Sequence, residues 1–387
     1  MIEIARVDIY HFSAPIKEPI VTSFGAITAR NNVLLRVEDQ DGAHGWGEIW
    51  ASFPPCGAEN KVRLLESIVL PTALGRSYES PTEAWHDLTR LMRRHALQSA
   101  EPGPFAACLA GIDVALWDLA ARKAGVPLWR ALGRESMPDP LPAYASNLNP
   151  AGAPEMVARC RARGYRAFKV KVAFNLASDL ENIRTIAEGL GEGERLMLDA
   201  NQGWDIAGAR SAILAMDAFG DLPLDWIEEP LCVDDPIEYW AELARLSAVP
   251  LAGGENILGE AAFNDAIDLG HLGVIQPDIS KWGGFSGCLP VARRAIAAGR
   301  RYCPHWLNAG IGLHASAHLL SAVSDVGGGT GVLEHDALEN PLQAPLAEPF
   351  PALVDGCFQL SDRPGLGVEP DMEAAAQWLQ CHIETTA

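Results

Sequence analysis

The chain has 387 residues, 48% of them hydrophobic, and sets 50 acidic against 30 basic side chains, for a formal charge of −20 and a pI near 4.9. That length suits a barrel of roughly 250 residues with an accessory domain, and the charge opposes a phosphate backbone, so nucleic acid is not an expected partner. No uninterrupted apolar run reaches the roughly 18 residues of a membrane span, residues 1–12 lack a basic stretch followed by an apolar one, and the cysteines are scattered without CxxC spacing; no membrane association, reduced thiols and a cytoplasmic location are expected, with no disulfide or zinc framework.

Residues 2–12 and 31–39 alternate or run apolar, Asp39-Gln40-Asp41-Gly42 turns, and 44–50 returns, which is the pattern of a β meander. From about 58 to 133 the periodicity is helical: Ile112, Ala115, Leu116, Leu119 and Ala120 fall on one face, and Gly125-Val126-Pro127 ends that helix. Strand-like segments then begin at Leu141, Ala167, Arg195, Leu224, Pro250, Gly273, Arg301 and Gly331, recurring roughly every 25 to 30 residues, the period of a βα unit. The Pro- and Gly-rich tail is too long for a barrel loop and is expected to pack back on the N-terminal part. The expected domains are 1–133, 140–345 and a C-terminal segment 346–387.

Charged side chains stand just past the ends of seven consecutive strand-like segments: Lys169 and Lys171, Asp199, Glu228, Glu255, Asp278 with Lys281, His305 and Glu334. In a barrel these ends share one face, so the residues converge. Asp199, Glu228 and Glu255 sit on three successive units, where close carboxylates would raise one another's pKa unless a cation held them. An all-oxygen set favours Mg²⁺ over zinc; the alternative is that each acid is a helix cap or a surface ion-pair partner. Lys169 and Lys171 are two apart and share a strand face, where repulsion and desolvation are expected to lower the pKa of at least one. His305 is expected to pair with Asp278 of the neighbouring strand, which would fix its tautomer and raise its basicity.

The segments GIDVALWDLAARKAGVPL, LWRALG, KVK, LDAN, WIEEP, GGEN, QPDISKWGG, CPHW and LEHD together resemble the enolase superfamily, mandelate racemase subgroup, over nearly the whole chain. The resemblance implies an α/β fold, a modified TIM barrel of the (β/α)7β type with an N-terminal α+β capping domain, and Asp199, Glu228 and Glu255 as ligands of Mg²⁺. Relatives of the muconate-lactonizing and dipeptide-epimerase kind carry a second catalytic lysine where this chain has Asp278, so the second base here is the His305–Asp278 pair. Glu229 falls behind the ligand set, and Lys281 has a supporting role. Asn201 and Glu334 match positions that orient the site or bind the substrate carboxylate.

The implied chemistry is abstraction by Lys171 of the proton α to the carboxylate of a small-molecule acid, with Mg²⁺, Lys169 and a protonated Glu334 or a water stabilising the enediolate. His305, on the opposite face, would return a proton to the α-carbon or protonate a β-hydroxyl. Dehydration of a sugar acid to a 2-keto-3-deoxy acid leads, racemisation of a 2-hydroxy acid is the alternative, and a non-catalytic ligand-binding relative stays open. Phe24, Trp50 and Phe53 could wall the pocket, Trp282 and Trp306 could add aromatic surface at the mouth, and Thr22, Ser23, Asn31, Ser146 and Asn147 could bind hydroxyls. The family resemblance also implies a homo-oligomer.

Overall fold

The computed structural model describes residues 1–217, 219, 223–324 and 331–387. Strands β1 (Arg6–Thr22), β2 (Gly25–Glu38) and β3 (His44–Ile49) form an antiparallel meander whose first hairpin turns at Ser23-Phe24. Helices α1 (Pro81–Gln98) and α2 (Pro102–Lys123) follow. Each begins with Pro in its first turn, where a missing N–H costs nothing, and Ser80 caps α1 by accepting from the Glu83 N–H.

Helix α2 is buried almost all round. Its length and apolarity would also suit a membrane span, but 78% of that apolar window lies inside the molecule, which makes it a core helix. Contact with β3 is backbone to backbone: a Cβ at Gly47 would stand 1.9 Å from the Gly111 carbonyl oxygen, so only glycine permits this approach.

The second body alternates strand and helix: β4 (Leu141–Leu148), α3 (Ala153–Ala162), β5 (Ala167–Lys171), α4 (Leu176–Glu188), β6 (Arg195–Asp199), α5 (Ile206–Asp217), β7 (Leu224–Glu228), α6 (Ile237–Leu246), β8 (Leu251–Gly253), α7 (Glu260–Leu269), β9 (Val274–Ile275), α8 (Gly284–Ala297), β10 (Arg301–Tyr302), α9 (Gly310–Val323) and β11 (Leu333–Asp336). These strands pair in parallel in the order β10-β9-β8-β7-β6-β5-β4-β11, giving a curled sheet with the (β/α)7β connectivity. At the seam between its two ends no ladder forms among the described residues. There Gly331 abuts the Tyr302 carbonyl, which a Cβ would approach to 2.5 Å. The tail ends in β12 (Leu379–Thr386), which pairs antiparallel with β1 as the outer strand of the capping sheet.

Two buried carboxylates fasten the cap to the barrel. Glu48 of β3 accepts from Asn32 Nδ2 (2.5 Å) and from the backbone N–H groups of Ala309 (2.6 Å) and Gly312 (2.8 Å) at the start of α9. Asp113 of α2 accepts from the Ser286 N–H (3.0 Å) at the start of α8. A helix N-terminus offers unpaired donors and partial positive charge, so an acid suits it. Burial nonetheless pushes both carboxyls up to about 7. The anchored helices directly follow the segments carrying Asp278 and His305.

Candidate active site

Side chains alternate along a strand, so the barrel interior can be read in steps of two. One layer, a single residue from each strand or its edge, is the cluster Tyr144, Ala167, Met197, Trp226, Ala252, Val274, Cys303 and Val332. Two residues farther along stand Ser146, Lys169, Asp199, Glu228, Gly254, Gln276, His305 and Glu334. Lys171, Asn201 and Asp278 come at the next step. The apolar layer is thus a floor, and the charged layer above it lies at the C-terminal ends of the strands.

Lys169 is surrounded by acid: its Nζ is 2.6 Å from Glu228, 2.8 Å from Glu334 and 3.8 Å from Asp199. Burial draws its pKa down, but Glu228, Glu334 and Asp199 outweigh that and hold it well above the ordinary lysine value. The expected lowering by its neighbour Lys171 therefore fails for Lys169, because carboxylates and not the second ammonium are in contact with it. Lys171 Nζ donates to Asp199 Oδ2 (2.7 Å) and Asn201 Oδ1 (2.5 Å).

Glu228 also accepts from Trp226 Nε1 (3.0 Å) and Gln276 Nε2 (2.8 Å). Burial, offset by Lys169 and reinforced by Asp199 and Glu334, pushes it up to about 7. The mutual raising expected of the three acids stops there: against burial, Lys171 and Lys169 hold Asp199, and His305 and Lys281 hold Glu255, below the ordinary carboxylate value. Glu334 differs from expectation. It accepts from Ser146 Oγ and from the Trp306 N–H (2.9 Å) besides Lys169, and although burial raises its pKa, Lys169 and then His305 bring it below the usual carboxylate range. Its neighbours are donors, which favours the carboxylate form over the protonated acid that the sequence reading allowed.

His305 lies between two acids, with Nδ1 2.7 Å from Asp278 Oδ2 and Nε2 3.2 Å from Glu255 Oε2. Both nitrogens can donate only in the imidazolium form. Burial lowers the pKa, but Glu255, Glu334 and Asp278 raise it to about 9. Asp278 is itself fixed by Ser280 N (2.8 Å), Ser280 Oγ (2.7 Å) and Lys281 N (3.1 Å). Lys281 Nζ bridges Glu255 (2.9 Å) and Asn256 Oδ1 (2.9 Å), and Asn256 Nδ2 reaches both Glu229 oxygens.

The peripheral candidates are placed differently. Trp50 flanks the site, its ring centre 4.6 Å from Lys281 Nζ, and Phe24 pairs with Phe53 at 4.7 Å on the exposed hairpin turn. Trp306 and Trp282 are core residues: the Trp306 ring is fully buried against Gly312, and Trp282 packs on Trp85 and Phe263, so Trp306 serves the site through its backbone N–H. Most of the proposed hydroxyl binders have protein partners: Thr22 bonds Gly25 O (2.7 Å), Ser23 bonds Asn201 O, Ser146 bonds Glu334, and Asn147 bonds Asp336 (3.2 Å). Sequence reading missed Gln276, Ser280 and Asn256; Gln276 was findable, standing two residues before Asp278 on the same face. Positive φ angles at Asn201 (42°), Gln202 (60°) and Glu229 (38°) store backbone strain directly after Asp199 and Glu228.

Residues 4–133 match the mandelate racemase / muconate lactonizing enzyme N-terminal domain, and residues 153–375 match the enolase C-terminal domain-like family. The chain belongs to the enolase superfamily. Its mandelate racemase subgroup includes the relatives it resembles over its length. A crystal structure of a mandelate racemase/muconate lactonizing enzyme from Bordetella bronchiseptica RB50 is 48% identical, with a TM-score of 0.90, covering 97% of this chain and 99% of that one. D-galactarolactone cycloisomerase of Agrobacterium fabrum is 31% identical across 90% of this chain and 91% of its own. L-talarate/galactarate dehydratase of Salmonella typhimurium LT2, crystallised with Mg and L-lyxarohydroxamate, has a TM-score of 0.84 at 26% identity and covers 99% of this chain and 94% of its own.

Whether this superfamily member's residues suit such an ion can be judged from their charge. Six acids, Asp199, Glu228, Glu229, Glu255, Asp278 and Glu334, face four bases, Lys169, Lys171, Lys281 and His305; burial raises Glu228 to about 7 and Glu229 well above the carboxylate range, so the surplus acids favour protons where no cation is bound. Among the described residues no three His, Cys, Asp or Glu are gathered at ion-binding spacing, and lysine ammoniums lie on oxygens of Asp199, Glu228 and Glu255. The acid excess and the oxygen-only donors at the ends of β6, β7 and β8 fit a hard divalent cation.

Proposed function

We propose that this protein removes the proton α to the carboxylate of a sugar acid and expels the β-hydroxyl as water, giving a 2-keto-3-deoxy acid. The observation that carries the reading is His305 set 2.7 Å from the Asp278 carboxylate, a partner that orients the ring and favours its protonated form. Elimination needs an acid for the departing hydroxide, and an imidazolium supplies one.

Mg²⁺, the proposed cofactor, would be held by Asp199, Glu228 and Glu255 and would supply Lewis-acid stabilisation of the charge gained by the substrate carboxylate. Lys171, as the free amine, takes the α-proton. Lys169 stays an ammonium and offsets the second negative charge of the enediolate. His305 gives its Nε2 proton to the β-oxygen, the C–O bond breaks with loss of water, and the resulting enol takes a proton from solvent at C3 and gives up its hydroxyl proton to solvent to become the keto acid. Asp278 stays ionised and keeps the ring in line.

The matched cycloisomerase favours a second reading with the same residues, in which the leaving group is a ring oxygen and no water is released. Proton NMR in D₂O with Mg²⁺ separates the outcomes. A 2-keto-3-deoxy product from an open-chain acid supports dehydration, product from a lactone alone supports cycloisomerisation, and α-exchange without product supports racemisation. Absence of α-exchange from every acid, with Mg²⁺ binding verified, would refute proton abstraction.

A further inference from the structure

A cavity of about 230 Å³ lies between the cap and the barrel mouth, lined by Trp50, Phe53, Pro54 and Lys61 from one side and Glu255 and Lys281 from the other. It adjoins the proposed reaction centre directly, since Lys281 and Glu255 belong to both. Engineered cavities of about 150 Å³ hold benzene, so this one has room for about nine non-hydrogen atoms, enough for the far half of a six-carbon acid.

One donor lining this cavity lacks a counter-charge. Lys61 is 4% exposed, yet the one hydrogen bond its ammonium makes among the described residues is to the Gly57 carbonyl at 3.2 Å, and it forms no ion pair there. A buried ammonium without a counter-charge is costly, and a methionine would bury the same stem without that cost. Burial draws the Lys61 pKa below the ordinary lysine value. Lys61 and Lys281 lie 5.4 Å and 4.6 Å from the Trp50 ring centre; Lys281 is engaged with Glu255, and Lys61 pairs with no acid among the described residues.

An ammonium only donates, and much of the remaining wall is apolar. That combination recognises an acceptor carrying negative charge. We propose that Lys61 forms a distal subsite for a second anionic group of the substrate, so that the enzyme acts on acids charged at both ends. This rests on the reading of the site as one that binds a carboxylate at the strand ends; what it adds is the charge of the other end. A terminal carboxylate and a terminal phosphate ester share the required chemistry.

The test is calorimetric binding to the full-length, Mg²⁺-loaded protein of a panel of six-carbon aldarates, the matching aldonates and their 6-phosphates, repeated with Lys61→Met and Lys61→Arg. Loss of a charge-assisted hydrogen bond should reduce the preference for dianions over aldonates roughly 10- to 100-fold in Lys61→Met, and Lys61→Arg should restore most of it. Whether aldarates or phosphates are preferred identifies the natural group. Equal affinity of wild type for mono- and dianions, equal weakening of both by Lys61→Met, or no measurable binding of any panel acid would overturn the proposal. Parallel D₂O exchange keeps the two readings apart: Lys61-dependent binding without α-exchange refutes the chemistry and leaves the subsite, while α-exchange with Lys61-independent binding does the reverse.

Discussion

Raising the pH of the metal-free protein is expected to cost it stability between about pH 6.5 and 9, and His305→Gln is expected to remove most of that loss. Against the lowering effect of burial, Glu255, Glu334 and Asp278 raise the His305 pKa to about 9, from an ordinary value near 6.5. A base whose folded pKa is raised contributes stability that is fully present below its unfolded pKa and is lost as the pH passes through the folded one. At about 1.4 kcal/mol per pH unit, that interval corresponds to roughly 3 kcal/mol. The assay is urea unfolding followed by tryptophan fluorescence, in EDTA, at several pH values from 6 to 9.5. Other groups titrate in the same range, so the informative quantity is wild type minus His305→Gln. That difference should shrink by about 3 kcal/mol from pH 6 to 9.5. A difference independent of pH would mean that folding leaves the pKa of the ring unshifted, and one that grows with pH that the ring is held neutral; either result would end the imidazolium argument for a resident acid.

Lys171→Ala should lower turnover at least about a thousandfold while Mg²⁺ binding by calorimetry persists; loss of binding would contradict its assignment as the base. Glu255→Gln should weaken Mg²⁺ affinity and leave the circular dichroism spectrum intact, and unfolding instead would make this acid structural. Glu48→Ala strands the Ala309 and Gly312 N–H groups and the Asn32 amide, so a loss of about 3 kcal/mol in urea unfolding is expected. An unchanged midpoint would mean that the cap is fastened elsewhere.

The sequence by itself determined the period of the βα units and the strand ends at which charge appears, because both are local. Alternation along a strand places Lys169 two residues beyond Ala167, and Asp199 two beyond Met197, whatever the rest of the chain does. The motifs supplied the family. Only the tertiary structure decided what each group meets. Lys169 is favoured as an ammonium because Glu228 and Glu334, from distant segments, close on it; three donors around Glu334 favour its carboxylate form; Trp306 is buried against Gly312, and Asn147 bonds Asp336. Glu48, Asp113 and Lys61 carried no signal in their own segments. Their roles arise where the cap meets the barrel, and a pairing between distant segments has no period to read.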